Sequence, residues 1–222
     1  MLEKLLWLWQ VTVYRNRTLN RRTMSAAQLS IRTQSSDELA AIVHQLNPDL
    51  EYLRDLHPQA TTCRTLLVKI EGAECALKVR NVTRNMWDET YFYREIHALQ
   101  RAGERNIKGV TQLLDEYKND SFHAIIKSFK QGTPGNLFES DEILRKRDFI
   151  KQLDEIYLRL HLEGIAKVNF LPRKIVISDE GEITLVDLST CVVNTEVGVQ
   201  LFSQEMRADS RFINKLERNA TH

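Results

Sequence analysis

The sequence predicts an α+β protein in which a strand-rich part precedes a helical part. Three observations carry this. Between Arg64 and Phe129 apolar residues come in short runs broken by turn residues, as in hairpin strands. From Ile150 to His161 they recur every three or four residues, as on a long amphipathic helix. Between these stretches lies Gly132-Thr133-Pro134-Gly135-Asn136, which interrupts both periods.

Taken in order, Ser35-Ser36-Asp37-Glu38 has the form of a capping box, and Leu39, Ile42, Val43 and Leu46 follow at helical spacing until Asn47-Pro48. Arg64–Ile70 reads as a strand, Glu71–Glu74 as a turn, and Cys75–Val79 as the returning strand of a hairpin. Met86–Ala102 is helical, with Trp87, Tyr91, Ile96 and Leu99 on one side and Gly103 as the stop. Val110–Tyr117 and His123–Phe129 read as two more strands around Lys118-Asn119-Asp120. The helix carrying Ile150, Leu153, Ile156, Tyr157, Leu160 and His161 ends at Gly164. Lys174–Ser178 and Ile183–Val186 are short strands around Asp179-Glu180-Gly181, and a polar helix covers about Ser203–Arg218.

The chain has 222 residues, 42% hydrophobic and 27% charged, which is ordinary for a globular protein with a real core. A net charge of +1 gives no electrostatic case for nucleic acid or a membrane surface. Cys63, Cys75 and Cys191 are odd in number and contain no CxxC pair, so reduced thiols fit better than a disulfide framework or a zinc site. Sequons at Asn16, Asn81, Asn119 and Asn219 read as chance matches without a secretory signal. An intracellular, cytoplasmic protein is the expectation.

Residues 1–34 stand apart. An apolar run from Leu2 to Val13, with Trp7 and Trp9, precedes Arg15, Arg17, Arg21, Arg22 and Arg32, and no acid occurs from Tyr14 to Ser36. The run is too short to span a bilayer, and its charge order is wrong for a secretory signal. Three readings fit it: a helix packed on the domain, an organelle-targeting or membrane-surface segment, and a disordered tail. The expected organisation is therefore 1–34 as this segment, 35–129 as the strand-rich part with its preceding helix, and 130–222 as the helical part.

Several elements then fall in one order. Ala76-Leu77-Lys78-Val79 is a strand bearing a lysine, and Arg94-Glu95-Ile96-His97 follows on a helix. Ile125–Phe129 is an apolar strand leaving through Lys130-Gln131-Gly132. Finally, Ala166–Ile177 contains Asn169, Pro172 and an apolar strand, and Val186-Asp187-Leu188-Ser189 follows a strand–turn–strand. Over about residues 52–190 this resembles the protein-kinase-like superfamily, as a divergent member with a reduced helical lobe. The resemblance implies an ATP phosphate held by Lys78 in an ion pair with Glu95, a hinge at Ser128 and Phe129, and Mg at Asp187.

The resemblance is broken where the chemistry would be. Asn169 stands at the position of the catalytic aspartate, and an amide takes no proton at neutral pH. Lys167 and Val168 replace the histidine and arginine of that loop. Lys174 replaces the asparagine that would bind a second Mg, where a cation repels the metal or takes its place. Ser189 replaces a glycine. No glycine lies between Tyr52 and Arg64, where a phosphate-cradling loop is expected. Only 33 residues follow Ser189. These losses imply a pseudokinase with weak or no phosphotransfer, acting as a regulatory or binding module with an unknown protein partner. Two other functions remain open: an atypical ATP-dependent kinase of a small-molecule or protein substrate, and an interaction scaffold that binds no nucleotide.

Overall fold

Short, local signals fix the first elements, as the capping box before helix α1 (Ser36–Leu46) illustrates. In the computed structural model, which describes residues 31, 34–56, 63–82, 86–135, 147–168 and 174–220, Ser35 Oγ accepts the Glu38 amide while Glu38 accepts the Ser35 amide. The chain divides into two units, Met1–Arg84 with Glu116–Ile126, and Asn85–Asp115 with Lys127–His222. Residues 1–30 and 57–62, and Asn169, lie outside the described residues.

In the first unit, strands β2 (Arg64–Ile70) and β3 (Ala73–Asn81) pair antiparallel from Arg64↔Val79 to Ile70↔Ala73. Glu71 and Gly72 join them with φ of 48° and 85°, the left-handed pair that a tight hairpin requires. A further strand, β1 (Glu51–Asp55), lies on the edge of β2, and Arg64 forms an ion pair with Asp55 across that edge. With β4 (Leu113–Lys118) and β5 (Phe122–Ser128) the sheet order is β1-β2-β3-β5-β4. In the β4–β5 turn, Asn119 Oδ1 accepts the amides of Ser121 and Phe122. Leu39, Ile42 and Val43 of α1 share one core with Leu66, Val68, Cys75, Leu77, Val79, Ala124 and Ile126. The alternation of β2 and β3 thus supplies the surface that the α1 stripe covers.

The second unit holds helices α2 (Met86–Glu104), α3 (Arg147–Leu162) and α4 (Val199–Ala220). Strand β6 (Thr133–Pro134) pairs with β8 (Ile175–Ile177), which pairs with β9 (Ile183–Leu185). Strand β7 (Ile165–Ala166) pairs with β10 (Val192–Val193). The α3 stripe is buried as its spacing predicts: Ile150, Leu153, Ile156, Tyr157 and Leu160. Gly164, just beyond α3, has φ of 74°, and a Cβ there would meet the Asn194 side chain.

Two helix ends differ from the sequence expectation. Gly103 does not stop α2; it lies within the last turn, and Asn106 at φ 51° ends the helix as the Ile107 amide reaches back to the Ala102 carbonyl. Asparagine tolerates the left-handed region, whereas glycine in a helical conformation only weakens the helix. Helix α4 starts at Val199 rather than near Ser203, because Leu201, Phe202 and Met206 pack on Ala166, Val192 and Val197. The fold is α+β with a mainly antiparallel five-stranded sheet. Among the described residues no helix is long and apolar enough to cross a membrane.

Candidate functional site

Helix α2 brings Glu95 into the interior of the second unit, on the same face as Phe92, Ile96 and Leu99. A carboxylate there is costly without a cation and further hydrogen bonds. Lys127, on β5, supplies the cation: its Nζ lies 2.8 Å from Glu95 Oε1 and donates at 2.8 Å to the Val186 carbonyl. The two side chains are 4% and 0% exposed. One ammonium thus joins α2 to the residue immediately before Asp187.

Asp187 meets a second lysine. Lys174 Nζ lies 3.6 Å from Asp187 Oδ2 and donates to Thr190 Oγ1 at 2.9 Å. The Lys174 carbonyl accepts the Val186 amide at 2.8 Å, so backbone and side chain both hold it against the Asp187 segment. The other carboxylate oxygen, Oδ1, accepts the Ser189 amide at 2.8 Å. Serine at 189 therefore does not loosen this turn; its backbone closes a hydrogen-bonded loop on the aspartate. Cys191 is fully buried beside this group, and burial pushes its thiol pKa far up, with the Lys174 charge opposing the shift.

The loop after α3 is held from α4. Asp209 Oδ2 accepts the amides of Lys167 at 2.8 Å and Val168 at 3.3 Å, and lies 2.9 Å from His161 Nε2. Lys167 has φ of 60°, an uncommon conformation for a side-chain-bearing residue, and the two amide bonds fix it. Its ammonium lies 3.3 Å from Glu205 Oε1, and burial lowers its pKa against that pairing. His161 thus reaches this loop through Asp209.

Helix α2 is also fastened to the chain beyond β10. His97 Nδ1 lies 2.7 Å from Glu196 Oε1, Arg94 lies 3.4 Å from Glu196 Oε2, and Arg101 donates to Asn194 at 2.8 Å.

Of the residues singled out in the sequence, Glu95, Asp187, Lys174 and Ser189 come together in the second unit. Lys78 sits on β3 opposite Thr65, partly buried, in the first unit. Ser128 ends β5, where its Oγ accepts the Gln112 amide at 2.9 Å and its carbonyl accepts from Thr111 at 2.7 Å; Phe129 follows, partly buried. Asn169 lies outside the described residues. Lys127, Thr190 and Asp209 are among the members that sequence patterning missed. Lys127 did carry a signal, since a cation directly after the buried run Ala124–Ile126 needs a partner. No protein-family model matches the sequence, and a search of curated proteins returns no match.

Proposed function

We propose that this chain is a kinase-like protein that has given up phosphotransfer and acts as a regulatory or binding module. The observation that carries the reading is that both acids expected at a nucleotide, Glu95 and Asp187, already hold an internal lysine, Lys127 at 2.8 Å and Lys174 at 3.6 Å. Phosphoryl transfer depends on a carboxylate that orients metal and on a base at the attacking hydroxyl. Here the first is charge-matched by an ammonium, and the second position is Asn169. What remains in the second unit is a pair of acids neutralised from within, which suits presenting a surface to a protein partner rather than performing chemistry. ATP bound through Lys78 is compatible with this role, because holding a phosphate requires no proton transfer.

The test is phosphotransfer from labelled ATP with Mg to water, to the chain itself and to generic protein acceptors. Turnover at background, equal in wild type and Asp187→Ala, is the expected result. Robust turnover that disappears in Asp187→Ala overturns the reading. A parallel thermal-shift titration with ATP on wild type and Lys78→Ala reports nucleotide binding separately from chemistry.

A further inference from the structure

A divalent ion at Asp187 does not fit the side chains present. Mg asks for a near-octahedral shell of oxygens and tolerates little distortion. Around Asp187 the structure instead puts an ammonium at 3.6 Å from Oδ2 and an amide donor at 2.8 Å from Oδ1. Thr190 Oγ1, an oxygen that could otherwise face a cation, is taken by the same ammonium at 2.9 Å. The Lys174 side chain is 8% exposed and its backbone carbonyl is tied to Val186, so swinging aside would expose the buried stem, give up the Thr190 bond and leave the partly exposed Asp187 carboxylate without its cation.

We propose that the Lys174 ammonium permanently replaces a divalent cation at Asp187, so that this carboxylate takes no metal. The expectation of a metal at this position rests on the kinase-like reading above; the replacement itself rests on the Lys174–Asp187–Thr190 geometry. The Lys174 cation is covalently part of the chain, is present at every metal concentration, and carries half the charge of the ion it replaces. Its range is fixed by its own stem, so it neutralises Asp187 without offering the open coordination positions that would engage a phosphate.

The experiment is titration of the full chain with Mn²⁺ alone, with free manganese followed by its electron paramagnetic resonance signal. Wild type and Asp187→Asn are expected to behave identically. Lys174→Asn, which removes the ammonium and adds an amide oxygen, is expected to gain a site at least roughly tenfold tighter, the scale on which groups next to a metal ligand act. Adding Asp187→Asn to that variant should abolish the gain. Lys174→Met keeps the side-chain volume and replaces the asparagine variant if circular dichroism shows that the latter is unfolded. Wild-type manganese binding that Asp187→Asn removes overturns the proposal, as does a folded Lys174 variant that gains no site. Because no nucleotide is present, the outcome is separate from the phosphotransfer assay, whose result bears on the kinase-like reading alone.

Discussion

Lys127 Nζ and Glu95 Oε1 are 2.8 Å apart in a place where neither side chain meets solvent, and the same ammonium donates to the Val186 carbonyl. Such a pair contributes little over a well-packed apolar pair, but breaking it strands a buried charge. Glu95→Ala and Lys127→Ala are each expected to destabilise the fold by about 3–5 kcal/mol. The double variant should cost well under the sum, with a coupling of about 1 kcal/mol or more in urea unfolding. Additive single losses would show that the two charges act independently.

Asp209→Ala removes one carboxylate oxygen that accepts two amides and faces His161. With charged-acceptor bonds worth roughly 1.5–3 kcal/mol each, a loss of about 3 kcal/mol or more is expected. Amide exchange at Lys167 and Val168 should accelerate beyond what the global loss explains. Unchanged protection there would count against the carboxylate as their anchor.

His123 sets a pH dependence in the first unit. It is buried on β5 with Nε2 at 2.6 Å from Glu116, and burial lowers its pKa despite that carboxylate. A depressed histidine pKa means that the unfolded chain binds the proton more readily. Stability from this group is therefore full above the unfolded value of about 6.5 and declines as pH falls through that value toward the folded one. His123→Gln should flatten the slope of unfolding free energy against pH in that window; an unchanged slope would assign it elsewhere.

Gly164→Ala combines a left-handed φ of 74° with a Cβ placed within 2.4 Å of Asn194. A cost of about 1–3 kcal/mol is expected from the backbone term alone. Adding Asn194→Ala should recover the steric part and leave the backbone part. Thermal unfolding of the single and double variants separates the two.

How much was legible depended on sequence distance. The α1 cap and the α3 stripe are written within a few residues each, and the chain forms them as their spacing predicts; the hairpin forms too, but its turn is Glu71–Gly72 alone, with Ala73 and Glu74 already paired in β3. Strand β1 reads as Glu-Tyr-Leu-Arg-Asp, mostly exposed at a sheet edge, so it carries no apolar alternation. Strands β6, β7 and β10 span two residues each, too short for any period. The contacts of the two lysines span larger separations: Lys127 lies 32 positions from Glu95, and Lys174 lies 16 positions from Thr190, beyond Asp187. The sequence pointed to Lys174 as a cation in a metal's place, but only the fold shows which carboxylate it faces.

The Asp209 bonds also order events during synthesis. Lys167 and Val168 precede their anchor by 42 and 41 residues, and His161 precedes it by 48. A chain emerging from the ribosome presents this loop well before the acid that fixes the Lys167 backbone at its positive φ. Completion of the second unit must therefore wait until α4 has cleared the exit tunnel, so the loop is held only after the elements before it have been made.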